Sequence, residues 1–201
     1  MKNFLIDNYI GIDEVGRGSW SGPIVACSLI LESNILKNNL FFEITDSKKV
    51  SKKKRDFLST FIKRNSNYNI GQSCSREIDK FGILKSTELA MKRSFYPFKK
   101  LKYKVKIDGP QFFILNQNSE FIVNGDQKCK AIAAASIVAK VFRDNLMKNL
   151  SKKYPRYGWE NNFGYGTKYH KNALEKYGIT PQHRITFKPI KKIYKDSIGQ
   201  D

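Results

Sequence analysis

Residues 11–18 read Gly11-Ile-Asp-Glu-Val-Gly-Arg-Gly18, directly after the apolar-leaning Tyr9 and Ile10. Tyr9, Ile10 and Ile12 favour a strand, and successive side chains of a strand point to opposite faces. Asp13 and Glu14 therefore leave the strand on opposite sides; one points into a site at the strand end and the other reaches it obliquely. Taken alone, the octet fits equally well a strand end that runs into an exposed polar turn, because Gly-Arg-Gly is ordinary turn chemistry. The surrounding chain decides between the two.

Outward from the octet, Gly22-Pro-Ile-Val-Ala-Cys-Ser-Leu-Ile-Leu31 is almost continuously apolar, the mark of a strand buried on both faces, and the short glycine turn before it predicts a hairpin. Ser51 to Arg64 carries apolar residues at 57, 58, 61 and 62, helical spacing with Ser51 as N-cap. A weaker strand covers Tyr68 to Cys74. A long helix covers Ser75 to Phe95, broken or kinked at Gly82 and closed by Pro97. Tyr103 to Asp108 and Glu120 to Asp126 are two further strands, each ending in an acid at a turn. Ala131 to Leu150 is a strong helix whose alanines permit close packing, and Thr167 caps a short helix that ends at Gly178. Past about Ile193 a polar tail is expected. The alternation of strands and helices predicts an α/β fold with a mixed central sheet flanked by helices.

Composition sets the outer limits. The chain has 201 residues, 40% of them hydrophobic, enough for one sizeable core, so one domain over 1–201 is expected. No apolar run approaches the roughly 18 residues of a membrane span. The N-terminus, Met-Lys-Asn-Phe-Leu-Ile-Asp, lacks a secretory pattern, which predicts a cytoplasmic protein. Cys27, Cys74 and Cys129 are odd in number and form no Cys-x-x-Cys pair, so neither a disulfide framework nor a zinc site is supported. With 37 basic residues against 18 acidic ones, a formal charge of +19, the surface suits polyanions, although Lys with abundant Asn, Ile and Phe is also what an A/T-rich genome encodes, which weakens the signal.

Three of the strands end in acids: Asp13 with Glu14, Asp108, and Asp126. Acids at the ends of strands in one sheet can converge on a single rim. Taken singly, Asp108-Gly109 and Gly125-Asp126 are just as well turn acids. With two histidines and no paired cysteines, any ligand set is hard oxygen, favouring Mg²⁺ or Mn²⁺. Such ions can activate a water and stabilise the leaving oxygen of a phosphodiester.

Several segments, in order and spacing, resemble the bacterial ribonuclease HII family, the type 2 ribonucleases H, over about residues 9–189. They are Gly11 to Gly18 with Ser21-Gly-Pro23, Asp46-Ser-Lys-Lys49, Lys106-Ile-Asp-Gly109, Gly125-Asp126, Ala131 to Lys140, Arg143-Asp144, Gly164-Tyr-Gly-Thr167 and His183-Arg184. The resemblance implies a ribonuclease H-like fold with a helical C-terminal part: a core at about 9–157, a helical part at about 158–192, then the tail. It implies that Asp13, Glu14, Asp108 and Asp126 are catalytic metal-binding carboxylates for Mg²⁺ or Mn²⁺. It also implies that Gly16, Arg17 and Gly18 sense a ribonucleotide 2′-hydroxyl, the group that tells RNA from DNA locally. By the same resemblance Tyr165 packs on the sugar at an RNA–DNA junction, and Ser47, Lys48, Lys49, Lys140 and Arg143 contact the nucleic acid. Asp144 is read as structural, and His170 and His183 as packing histidines. Ser19-Trp20, Gly82 and Cys129-Lys130 depart from the family pattern, none at a proposed ligand, and the Gly-Arg-Gly form differs from the sister ribonuclease HIII group.

The expected activity is an endonuclease that cuts on the 5′ side of a ribonucleotide in RNA·DNA hybrids and in duplex DNA with embedded ribonucleotides. It would use two metal ions and leave 3′-hydroxyl and 5′-phosphate ends. A monomer without membrane contact is expected. Gln111-Phe-Phe-Ile-Leu115 is read as an apolar segment of the fold before a replication-clamp peptide. Two rivals stand beside this: a noncatalytic nucleic-acid-binding protein, motivated by the charge, and another hybrid-degrading nuclease without junction preference.

Overall fold

In a computed structural model of the chain, residues 9–198 are described. The chain runs β1 (Tyr9–Val15), β2 (Ile24–Leu31), α1 (Leu40–Glu43), α2 (Lys52–Arg64), β3 (Ser66–Ser73), α3 (Ser75–Phe95), β4 (Lys104–Asp108), β5 (Ser119–Ile122), α4 (Gly125–Lys128), α5 (Lys130–Lys153), α6 (Trp159–Asn162), α7 (Lys168–Tyr177) and α8 (Lys188–Ile198). The strands form one mixed sheet in the order β3-β2-β1-β4-β5. The pairs β1–β2 and β2–β3 are antiparallel, whereas β1–β4 and β4–β5 are parallel. This is the mixed sheet flanked by helices that the pattern predicts.

Alternation along β1 divides the core. Ile10 and Ile12 join Ile24, Ala26, Val105 and Ile107 beneath α3, on one face of the sheet. On the other face, Val25, Cys27 and Leu29 pack with the buried alanines of α5 and with Leu58 and Ile62 of α2. Helix α5 approaches β1 closely because Gly11 has no side chain: a Cβ there would lie 2.3 Å from the Ala131 carbonyl carbon. That close approach sets the helix against the strand carrying Asp13.

Local chemistry accounts for the element ends. The Ser51 hydroxyl accepts from the Lys54 amide at the start of α2, and the Thr167 hydroxyl accepts from His170 N at the start of α7. Gly82 has φ 77° inside α3, which gives the kink expected there. The Gln111–Leu115 segment is part of the core periphery: Phe112, Phe113 and Leu115 pack on the α3-face cluster, and the Phe113 and Phe121 rings lie 5.2 Å apart.

Two elements differ from the sequence reading. Asp126 is not at a strand end, because β5 stops at Ile122 and Asn124 turns left-handed (φ 56°), leading into the single-turn α4 that carries Asp126. The C-terminal region continues as a helix to Ile198, where a polar tail is expected from Ile193, and Ile190 in α8 is buried with Trp159, Leu174 and Met147. Residues 1–8 and the last three residues lie outside the described residues. Among the described residues no helix is long and apolar enough to cross a membrane.

Candidate active site

Strand pairing brings the first acids together. Ile12 is in register with Ile107, so Asp13 and Asp108 follow at the same end of adjacent parallel strands. Asp13 faces α5 and is only 5% exposed; it accepts hydrogen bonds from the Glu14 amide (2.7 Å) and from the Ser136 hydroxyl. Burial, then the charges of Glu14 and Asp108, hold the Asp13 carboxyl well above the usual carboxylate range. Glu14, on the opposite face, comes back toward the same end, and burial and Asp108 raise it despite the Arg17 guanidinium at 3.4 Å.

Asp108 also reaches across to α4, where its carboxylate accepts from the Gly125 amide (2.7 Å). That bond anchors the turn carrying Asp126. The Asp126 carboxyl is raised by burial, then by the neighbouring Asp46 and Asp108. Asp46 is thus a fifth acid of the cluster, which the sequence offered only as the first residue of Asp46-Ser-Lys-Lys49. Among the described residues no group of three or more His, Cys, Asp or Glu side chains already forms a metal-holding cluster. The donors are nonetheless hard oxygens, and burial with neighbouring negative charge raises Asp13, Glu14 and Asp126, a set that suits a divalent cation.

Beside this rim, the 16–23 turn is held from within. Gly16 has φ 94°, and a Cβ there would meet Arg143 Nε at 2.2 Å. Arg143 is fully buried; its guanidinium donates to Pro23 O, Phe163 O, Ser21 O and the Ser19 hydroxyl at 2.7–3.0 Å. Arg143, which the resemblance places against the nucleic acid, thus has four of its five N–H donors taken by backbone or hydroxyl oxygens inside the protein. Arg184, also buried, donates to the carbonyls of Gly16, Arg17 and Gly22 at 2.7–3.1 Å. Sequence reasoning matched Arg184 within a motif but gave it no task. A buried arginine bonded to carbonyls across the fold leaves no periodic signal.

The turn in turn docks on the Tyr165 loop. Trp20 and Ser21 amides both donate to Gly164 O (2.8 and 3.3 Å). Half-buried Tyr165 lies with its ring 5.6 Å from the Arg143 guanidinium. Its carbonyl accepts from His170 Nδ1 (2.9 Å). The Thr180 amide donates to His183 Nδ1 (2.8 Å), which leaves the proton on His183 Nε2 to face His170 Nε2 at 3.1 Å. Both histidines are neutral packing groups as expected: burial lowers His170, and burial with the neighbouring His170 pushes His183 down to about 3.

The remaining candidates differ in accessibility. Gly18, Lys48 and Lys49 are exposed. The Ser47 hydroxyl is buried and pairs with Ser136 (3.0 Å), so it braces the residue that binds Asp13. Lys140 is mostly buried and donates to Asp144 at 2.7 Å, and burial lowers its pKa.

The family model described as Ribonuclease HII matches residues 10–190. A ribonuclease HII of Pelagibacter ubique is 47% identical over 181 residues, 90% of this chain and 95% of that protein. The ribonuclease H2 of Pyrococcus horikoshii superposes with a TM-score of 0.76 at 23% identity, covering 94% of this chain and 98% of that one. Bst-RNase HIII, solved in complex with Mn²⁺, superposes at 0.73 with 16% identity, covering 97% of this chain and 71% of that one. At such identities these two structures speak for the fold alone.

Proposed function

The chain belongs to the ribonuclease HII family and is an endoribonuclease, and we propose that it hydrolyses the phosphodiester 5′ to a ribonucleotide, in RNA·DNA hybrids and in duplex DNA with embedded ribonucleotides. The products carry 3′-hydroxyl and 5′-phosphate ends. Its task is the removal of misincorporated ribonucleotides and of hybrid RNA, as a monomer in the cytoplasm. The observation that carries this reading is the meeting of Asp13, Glu14 and Asp108 at one sheet end, where Asp108 raises both of the others, beside the 16–23 turn.

Asp13, Glu14, Asp108 and Asp126 are the residues that would hold Mg²⁺ or Mn²⁺. A pair of such ions supplies an activated water and stabilises the charge of the leaving oxygen in an in-line displacement. The protein's own groups do the rest. Ser136, braced by Ser47, and the Glu14 amide orient the Asp13 carboxylate; the Gly125 amide orients Asp108. The Gly16-Arg17-Gly18 turn presents exposed backbone at Gly18, where a Cβ would meet nothing within 4 Å, so a sugar can approach closely. Tyr165 beside it takes the adjoining sugar. Lys48 and Lys49 sit exposed beyond Asp46 to meet phosphates, which position the duplex without reading its sequence.

The test is cleavage of end-labelled duplex DNA carrying one ribonucleotide, and of a long RNA·DNA hybrid, with Mg²⁺, Mn²⁺ or chelator, mapped to single nucleotides. A metal-dependent cut immediately 5′ of the ribonucleotide is expected. Binding without a cut on either substrate would replace the reading with that of a noncatalytic binding protein.

A further inference from the structure

Two guanidiniums, Arg143 and Arg184, are buried beneath the turn with no carboxylate in ion-pair reach among the described residues. Burying such a charge costs several kcal/mol, and an apolar side chain of similar volume commonly serves stability better. What these charges obtain is geometry: a planar fork fixes several acceptors at once. Arg184 grips the turn alone, through the carbonyls of Gly16, Arg17 and Gly22. Arg143 does something different. Three of its bonds go to the turn, at Pro23 O, Ser21 O and the Ser19 hydroxyl, while its Nη1 donates to Phe163 O, two residues before Tyr165.

One side chain thus joins the two segments that flank the sugar in the proposed function. Ser19 completes the joint. Its hydroxyl accepts from Arg143 Nη2 at 2.7 Å and faces Gly16 O (3.0 Å) and Ser21 O (3.1 Å) as donor. The link therefore runs from Phe163 O through the guanidinium and the hydroxyl to the carbonyl of the first glycine of Gly-Arg-Gly.

We infer that Arg143 and Ser19 are positioning residues for ribonucleotide recognition, setting the register of the Gly16-Arg17-Gly18 turn against Tyr165. The inference rests on the proposed function, since it assigns the turn to the 2′-hydroxyl and Tyr165 to the neighbouring sugar. An isolated ribonucleotide in DNA offers one 2′-hydroxyl and one junction, so the turn and Tyr165 must engage together in a single register. A long hybrid offers a 2′-hydroxyl at every step and many registers. Misalignment of the two segments consequently penalises the isolated ribonucleotide more.

The experiment compares wild type with Ser19→Ala and Arg143→Lys, measuring kcat and KM on duplex DNA with one ribonucleotide and on a long RNA·DNA hybrid, using the same preparation. The ratio of the two kcat/KM values is independent of how much protein is folded, so a purely structural role leaves it unmoved. The expected ratio falls about tenfold in Arg143→Lys, equivalent to about 1.4 kcal/mol of barrier, and by about threefold in Ser19→Ala, with the loss in kcat and KM held. Should Arg143→Lys not fold, Ser19→Ala decides alone. A ratio unchanged in the folded variants overturns the inference. Failure of the proposed function would show instead in the wild type, as no 5′-side cut on either substrate.

Discussion

The acidic rim and the turn beside it treat charge in opposite ways. At the rim, Asp13 is buried and Glu14 largely so beside Asp108, Asp126 neighbours Asp46, and Arg17 at 3.4 Å from Glu14 is the one cation in ion-pair reach of Asp13, Glu14, Asp108 or Asp126 among the described residues. Under the turn, two buried arginines and a histidine pair have their hydrogen-bonding groups met by backbone carbonyls, amides and one another. The rim gathers like charges, whereas the arginines of the frame use theirs chiefly to hold backbone in place. Under the proposed function, the difference separates positions that would serve chemistry at a cost to the fold from positions that serve the fold itself.

Asp13→Asn breaks that contrast most directly. Cleavage should fall on the order of 10³-fold, about 4 kcal/mol of barrier, with duplex binding largely kept. In chelator at neutral pH, the same variant should unfold at a higher temperature than wild type, because it removes a buried carboxylate whose charged form the fold disfavours. A variant both active and less stable would place Asp13 with the frame. Gly16→Ala attacks the other side. A left-handed φ of 94° and a Cβ 2.2 Å from Arg143 Nε predict a loss of about 3 kcal/mol of stability by chemical denaturation. A near-neutral effect would mean that the turn is not clamped as described.

The two regions should also answer pH with opposite signs. The carboxyls of Asp13, Glu14 and Asp126 are raised in the fold, so their protonated forms favour the folded state. Their share of stability is full below the unfolded values near 4, and it is lost as pH rises through the folded ones. His170 and His183 are lowered, His183 to about 3 against 6.5 unfolded; their share is present above 6.5 and is lost as pH falls toward the folded values. Each proton of difference changes stability by about 1.4 kcal/mol per pH unit. Below pH 6.5, metal-free Asp13→Asn should therefore lose stability more steeply than wild type, and His183→Gln less steeply. Parallel curves for all three would show that neither region governs acid stability.

Much of the fold was legible because it is written in periodicity. The apolar run of β2, the alternation in β1 and the alanines of α5 predicted the hairpin and the helix packed on it, and Gly82 marked the kink in α3. Three acids could be read as strand ends, but Asp126 reaches the rim through a one-turn helix, and the Asn124 left-handed turn that starts it has no periodic signature. The burial of Arg143 was not legible. On a helix wheel it is one more basic residue, and its partners are carbonyls at positions 21, 23 and 163, distant in sequence. Asp46 and Arg184 were missed as site residues for the same reason. The helix to Ile198 was hidden by its lysines, although Ile190 and Ile193 dock it on the cluster of Trp159, Leu174 and Met147.

The smallest expected effect separates the buried arginines from the exposed lysines. Charge alone does not distinguish Arg143 from Lys48 and Lys49, yet the first is spent inside the protein and the other two face solvent. Only an exposed cation can release counterions from a nucleic acid, and each phosphate contact contributes about 0.9 to the slope of log affinity against log salt. A Lys48→Ala, Lys49→Ala double variant should therefore flatten that slope by up to about two units, weaken binding alike for all duplex sequences, and leave thermal stability unchanged. Arg143→Lys should leave the slope as it is. If the lysine pair leaves the slope untouched, the high lysine content near the rim is compositional, and phosphate binding belongs to other residues of a chain whose formal charge is +19.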